Sequence, residues 1–183
     1  LRKSFFDKIN SCILTSATLK VQNSFDYFLR RVGLDNNGDV SSKEFLSPFY
    51  YNEQVTYYQY GGSKDLSNSP AGIGDLVYHL HNLFDKRIMV LFTSIRALTD
   101  TAKYLRALPD GRNLPLFAQV RGASRPSIIK GMHQTSNGIL FGTNSFWEGV
   151  DLPGELLEIL VLVKLPFDVP SEPLVRSYSD HVN

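Results

Sequence analysis

The sequence predicts an α/β protein in which a parallel sheet carries helices on both faces. Four short segments are almost entirely apolar runs, at positions 88–92, 116–120, 139–141 and 159–163, and helix-length segments separate them. Apolar runs of this kind are typical of strands that are buried on both sides of a parallel sheet. The alternation of strand and helix therefore indicates the fold class before any single motif is considered.

The first 60 residues predict two further strands and one helix. A short buried strand is expected at positions 12–19, and its Cys12 is expected to be a small core residue. A second strand is expected at 55–60, where both alternating faces are partly apolar. The helix between them has Ser24 as a candidate N-cap and Gly33 as a stop signal. Its apolar residues have the spacing of one helical face: Phe25, Phe28, Leu29 and Val32.

From position 61 onward, helices are expected between the four apolar strands. Residues 61–74 are rich in Gly, Ser and Asn, which predicts a loop, and a helix at 75–85 follows it. The helix after the first strand is expected to open at Thr93 or Ser94, because hydroxyl residues are preferred caps. Another helix is expected at 125–134.

Composition excludes several classes of protein. The chain has 183 residues, of which 43% are hydrophobic and 20% charged, as in ordinary globular domains. No apolar run reaches the roughly 20 residues of a membrane span, and no signal peptide is expected. The single cysteine excludes an internal disulfide and argues against zinc, so no metal site is expected in this chain. A cytoplasmic protein fits this cysteine usage.

Charge is distributed unevenly along the chain. Residues 86–130 carry nine Lys and Arg against two acids, and residues 144–172 carry six acids against one lysine. Such a pattern suits a phosphate-binding surface beside a nucleotide site. Ordinary solvated helix faces would give the same pattern, so the charges alone leave both interpretations open.

Three hydroxyl-rich stretches follow predicted strands. They are Thr15–Thr18, Thr93–Ser94 and Thr143–Ser145. Ligands of open parallel sheets bind outside the carboxyl ends of the strands, and helix N-termini there favour phosphate. Each stretch alone is a common helix cap, but three along one sheet edge predict a phosphate-binding edge.

Three segments together resemble the motifs of a helicase family. Thr-Ser-Ala-Thr-Leu at 15–19 is similar to motif III of superfamily-two helicases, and Leu-Phe-Thr-Ser at 91–94 is similar to motif IV. The stretch Gly-Thr-Asn-Ser-Phe-Trp-Glu-Gly-Val-Asp-Leu-Pro-Gly at 142–154 strongly resembles motif V of the DinG branch of XPD-like helicases. The following Lys-Leu-Pro-Phe at 164–167 and Pro-Ser-Glu-Pro-Leu at 170–174 extend this resemblance.

The resemblance implies an ATP-dependent DNA helicase that acts on single-stranded DNA with 5′ to 3′ polarity. It implies two RecA-like motor domains with ATP between them, so residues 1–46 would be the remnant of the first and 47–183 most of the second. The sequence has no Gly-Lys-Ser/Thr phosphate loop, no Asp-Glu-Ala-His-type magnesium motif and no late arginine element. We therefore expect ATP and magnesium to bind only with the missing first motor domain as partner, and no ATPase activity from this chain alone. No iron–sulfur cluster is expected, because one needs several cysteines.

The resemblance also assigns roles to individual residues. Motif III implies that Ser16 and Thr18 couple nucleotide state to the DNA path. Motif V implies that Glu148 and Asp151 face the nucleotide, and that Gly149 beside them permits a close turn. The hydroxyl residues of motifs IV and V would contact DNA phosphates: Thr93, Ser94, Thr143 and Ser145.

Charge and aromatic character add three candidates to this list. Electrostatics adds Arg96 and Arg125 to the predicted DNA track. Trp147, the only tryptophan, either stacks on a DNA base or packs beneath its loop together with Phe146.

Other classes of function remain open at this point. The domain could be an α/β interaction module in which the hydroxyl residues only cap helices. It could be a free-standing nucleotide-binding enzyme such as a kinase, although the absence of a phosphate loop argues against this. The whole protein could also act mainly as an exonuclease that carries a helicase-like domain.

Overall fold

The chain divides into two compact units, residues 1–59 and residues 60–183. This division falls after the predicted boundary at 46, and the assignment of the first unit to a separate motor domain stays a prediction. Glu148 and the segment 170–174, on which the resemblance partly rests, lie outside the described residues. The computed structural model describes these ranges: 3–35, 39–62, 65–120, 122–147 and 149–167.

In its described part, the first unit contains two short α-helices, α1 (Asp26–Val32) and α2 (Tyr51–Gln54). α1 is the helix that the sequence predicts, and it ends as predicted at Gly33. Gly33 has a φ of +80°, and its N–H donates to the Arg30 carbonyl oxygen at 3.1 Å. A left-handed residue is costly for any side chain other than glycine, so the helix stops at this position.

Both strand predictions for the first 60 residues are wrong. Residues 12–16 have no regular structure, with Ile13 92% exposed and Cys12 also exposed, so Cys12 is not a core residue. Residues 55–60 are likewise irregular, with Tyr58 86% exposed. An apolar segment becomes a strand only when a neighbouring strand satisfies its backbone groups. The described part of this unit contains one isolated bridge, between Val21 and Ser24, and no ladder.

The second unit is built around the parallel sheet that the sequence predicts. Within the described ranges of this unit, four strands lie in the order β2-β3-β1-β4, and each of their pairings is parallel. The predicted fold class, a parallel α/β sheet with helices on both faces as in RecA-like domains, is therefore confirmed. Its elements are α3 (Pro70–Phe84), β1 (Ile88–Leu91), α4 (Ile95–Ala107), β2 (Leu116–Ala118), α5 (Arg125–Gln134), β3 (Ile139–Gly142), α6 (Asn144–Trp147) and β4 (Ile159–Leu162).

One helix of this unit begins earlier than the sequence predicts. α3 starts at Pro70 inside the predicted loop 61–74, because the Ser69 hydroxyl accepts from the Gly72 N–H at 3.0 Å and proline occupies the first helical position. A serine cap followed by proline is a favoured helix start, and this signal overrides the loop-like composition.

The strands bury different side chains on the two faces of the sheet. On one face, α3 and α4 cover a core that includes Ile88, Val90 and Phe92. On the other face, α5 and α6 cover a smaller core that includes Met89, Leu91 and Leu140. Alternating side chains of one strand thus enter opposite cores, which explains why the sequence shows continuous apolar runs.

The strand β4 is less covered than the others. Among the described residues it pairs only with β1, and Leu160 and Leu162 are 50% and 44% exposed on the face that α5 covers elsewhere. Within the described part of the chain, none of the helices combines the length and apolar character that a membrane crossing requires.

Candidate functional site

Polar residues follow β1, β2 and β3 at the carboxyl edge of the sheet. The backbone holds these three strand ends together, because the Phe92 N–H donates to the Gly142 carbonyl oxygen and the Gln119 N–H donates to the Phe141 carbonyl oxygen, both at 2.9 Å. Predicted residues of two motifs, Thr93–Ser94 and Thr143–Ser145, therefore lie on one edge. This is the edge at which parallel sheets bind ligands.

A glutamine that sequence reasoning missed organises the turn after β3. The Gln119 Oε1 atom accepts from the Thr143 N–H and from the Thr143 hydroxyl, both at 2.9 Å. The Gln119 Nε2 atom donates to the Ser145 hydroxyl oxygen at 3.0 Å. The position of Gln119 is a signal that could have identified it, because Gln119 directly follows β2 in the same way as Thr143 directly follows β3.

The two hydroxyl residues of this turn differ in exposure. Thr143 is only 6% exposed, and both of its hydrogen-bond donors go to Gln119. Ser145 is exposed, and its oxygen accepts a hydrogen bond, so its own proton is available to another acceptor. The sequence groups the two as equivalent phosphate contacts, whereas the structure gives them different surroundings.

The turn after β1 forms the N-terminus of α4. The Ser94 hydroxyl accepts from the Ala97 N–H at 3.4 Å, as a serine N-cap does, and both Thr93 and Ser94 are exposed. The side chain of Arg96 is 92% exposed, and its Nε atom lies 3.8 Å from the Asp100 carboxylate. This helix end offers free backbone donors and a cation at the carboxyl edge.

Two aromatic residues fix α6 against the sheet. Phe146 is 2% exposed and belongs to the core beneath α5. Trp147 is partly buried against the same core, and its Nε1 atom donates to the Phe92 carbonyl oxygen at 3.4 Å. Of the two predicted alternatives for Trp147, the structure has the packed one, and a contact with a DNA base stays a prediction. A Cβ atom at Gly142 would lie 2.6 Å from the Phe146 Cβ, so glycine is required for this close approach.

Arg125 ties α5 to the loop that follows α6. Its guanidinium donates to the Gly149 carbonyl oxygen and lies over the Phe146 ring, with Cζ 5.6 Å from the ring centroid. Gly149 has a φ of +66°, so the predicted turn at this glycine is confirmed. Arg125, which the sequence assigns to a DNA track, thus has a position in the structure that holds this loop.

Several other cations of the basic segment also have internal partners. The Arg87 Nε atom donates to the carbonyl oxygens of Met132 at 3.1 Å and Thr135 at 2.7 Å, and Arg106 donates to that of Leu116 at 3.1 Å. Lys86 lies 2.8 Å from the Glu158 carboxylate, and this hydrogen bond raises the pKa of the Lys86 ammonium. The predicted basic surface is therefore smaller than the sequence count indicates.

The residues predicted to serve the nucleotide are distributed over both units. Ser16 and Thr18 lie in the first unit, exposed, with their hydroxyl oxygens 3.3 Å apart. Asp151 is exposed in the second unit, and Glu148 lies outside the described residues. Across the described ranges, no group of three or more His, Cys, Asp or Glu side chains could hold a metal ion. The coupling and nucleotide roles of these residues stay predictions.

Comparisons with known proteins agree with the geometry of the second unit. The family model of the helicase C-terminal domain matches residues 77–183. The 3'-5' exonuclease DinG of Bacillus subtilis (strain 168) is 34% identical over 180 residues, which are 95% of this chain and 19% of that protein. The ATP-dependent DNA helicase YoaA of Haemophilus influenzae is 31% identical, with 90% of this chain and 25% of that protein covered. The ATP-dependent DNA helicase DinG of Photobacterium profundum is 30% identical, with 100% and 27% covered. The chain thus spans roughly a fifth to a quarter of the length of these curated relatives.

Proposed function

This chain belongs to the helicase C-terminal domain family, with DinG-type helicases as its relatives, and on that premise we propose that it is a motor-domain portion of an ATP-dependent DNA helicase. In this proposal the portion binds single-stranded DNA, and the whole protein couples ATP hydrolysis to movement in the 5′ to 3′ direction. The observation that carries the proposal is the carboxyl edge of the sheet, where the α4 N-terminus and the exposed Ser145 hydroxyl lie on neighbouring strands.

The edge has the donors that a DNA phosphate requires. The first turn of α4 presents backbone N–H groups with the positive end of the helix dipole, and a phosphate is a favourable ligand for such a helix end. Ser145 adds a hydroxyl donor on the adjacent strand end. Arg96 in the first turn adds a charge that attracts the backbone without reading its sequence.

Hydrolysis of ATP is proposed for the whole protein and not for this chain by itself. The described residues do not fit ATP with magnesium, because they include no cluster of carboxylates for the metal and Asp151 stands exposed on its loop. Phosphoryl transfer needs a phosphate cradle and a metal ion. We propose that these come from the first motor domain.

A second candidate function is nuclease action by the whole protein, which is favoured by the similarity to the Bacillus subtilis relative, a 3'-5' exonuclease by name. A metal-dependent nuclease would not use the described residues as its metal site, since they contain no group of three ligands. In that case the carboxyl edge would still serve to hold the DNA strand.

The experiment that tests the proposal is fluorescence anisotropy of a labelled single strand of about 20 nucleotides, titrated with this chain at two salt concentrations. Affinity should fall as salt rises, and Arg96→Ala should reduce the salt slope by about one. Lys103→Ala is the matched control, because Lys103 is exposed on the same helix two turns farther from the edge. The proposal fails if no binding occurs at low salt, or if both variants lose affinity equally.

A further inference from the structure

We propose that Gln119 is a positioning residue that selects Ser145, and not Thr143, as the hydroxyl that contacts a DNA phosphate. This inference rests on the proposed function, because it assigns a task within the same DNA-binding edge. The motif resemblance does not include Gln119, which lies on the neighbouring strand end.

The first step is the use of the Thr143 donors. A phosphate oxygen is an acceptor, so a residue that binds it must have a donor free. Both donors of Thr143 point to one atom, Gln119 Oε1, each at 2.9 Å, and the residue is 6% exposed. Thr143 therefore shapes the turn and has no donor left for DNA.

The second step is the orientation of the Ser145 hydroxyl. Its oxygen accepts a hydrogen bond from Gln119 Nε2 at 3.0 Å, so its own proton is directed away from the glutamine. Ser145 is exposed, and that proton is thus presented at the surface of the carboxyl edge. The glutamine fixes which end of this hydroxyl faces the ligand.

The third step is the rigidity of the glutamine. Its backbone N–H donates to the Phe141 carbonyl oxygen at 2.9 Å, which extends the β2–β3 pairing by one residue. Its amide then bridges two residues of the next turn. A side chain that is anchored on a sheet and bonded at both ends of its amide loses little further freedom when a ligand binds.

A double-mutant cycle on single-stranded DNA affinity tests this arrangement. Ser145→Ala should weaken binding about tenfold, since it removes a hydrogen bond to a charged group. Thr143→Val should weaken it much less, because the backbone donor to Gln119 remains. Gln119→Glu keeps both acceptor contacts to Thr143 but turns the Ser145 proton toward the carboxylate, so it should weaken binding in the wild-type background.

The negative charge that Gln119→Glu adds repels DNA whether or not Ser145 is present. The double-mutant cycle separates this repulsion from the effect on the orientation of the Ser145 hydroxyl. In a Ser145→Ala background only the repulsion remains, so the loss caused by Gln119→Glu should be smaller there. A purely structural role for Gln119 would give equal losses in both backgrounds. Equal losses, or a Thr143→Val loss as large as that of Ser145→Ala, would overturn the proposal.

Amide hydrogen exchange gives a reading that does not depend on DNA. The Thr143 N–H should exchange about tenfold faster in Gln119→Leu than in the wild type, while the Phe141 N–H within β3 should be unchanged. Unchanged exchange at Thr143 would overturn the positioning role. If exchange changes as expected but the wild-type chain does not bind DNA at low salt, the proposed function and the Ser145 assignment fail, and the positioning of the turn stands.

Discussion

Replacing Arg87 tests whether side-chain hydrogen bonds between α5 and the segment before β4 stabilise the second unit. Its Nε–H is shared between the carbonyl oxygens of Met132 and Thr135, and its Nη1 atom donates to the Glu155 carbonyl oxygen at 2.8 Å. The side chain thus joins the C-terminal end of α5 to the segment that leads into β4. Net contributions of hydrogen bonds to a charged group are about 1.5–3 kcal/mol when buried, and partial exposure here reduces them. We expect Arg87→Met to lower the free energy of unfolding by about 2 kcal/mol.

The assay is urea unfolding followed by circular dichroism. With a slope of about 2 kcal/mol per molar urea, the midpoint of Arg87→Met should fall by about 1 M. Lys86→Met is the matched control, because Lys86 is the adjacent residue and its partner is one exposed carboxylate. Its midpoint should move far less. Equal shifts for the two variants, or a shift below about 0.3 M for Arg87→Met, would refute the reasoning.

Three further outcomes are expected from urea unfolding. Thr101→Val should raise the free energy of unfolding by about 1 kcal/mol, because the Thr101 hydroxyl is buried with no hydrogen-bond partner among the described residues, and a loss would contradict this. Gly142→Ala should lower it by about 1–3 kcal/mol through overlap with Phe146, and a neutral result would show that α6 can shift. Burial lowers the pKa of His81 below 6.5, so the unfolded state binds protons more readily. The contribution of His81 to stability should therefore be fully present above about pH 7 and be lost as the pH drops below about 6.5, and His81→Gln should flatten this part of the pH profile.

The sheet could be predicted from the sequence because its signals are local. The four apolar runs became the four parallel strands, and α5 has the predicted bounds because Ser124 caps it and Pro126 follows at the second helical position. The predicted strands at 12–19 and 55–60 failed for a related reason. Their apolar residues satisfy the pattern of a strand, but a pattern does not specify the neighbour that a strand needs.

The candidate site was only partly predictable, because its geometry depends on contacts between distant positions. The carboxyl edge and its hydroxyl residues follow from strand ends, which are visible in the sequence. The hydrogen bonds of Gln119 to Thr143 and Ser145 connect the segment after β2 to the segment after β3. No local sequence pattern predicts such contacts. The same holds for Arg87 and Arg125. In the sequence they cannot be distinguished from solvated surface cations, whereas in the structure each donates to a backbone carbonyl oxygen.

The strand order has a consequence for how this chain reaches its fold. β1 is one of the two inner strands of the described sheet, and its Ile88 pairs with Ile139 on one side and Ile159 on the other. β1 is synthesised before the other described strands, but its neighbours β3 and β4 lie about 50 and 70 residues later in the chain. Large loops must therefore close before the central ladder forms, and such topologies fold slowly. During synthesis on the ribosome, α3 and α4 can already pack on one face of β1, but both edges of this strand stay unpaired until β3 and β4 are made. We expect this interval to be the one in which the nascent chain most needs protection from aggregation.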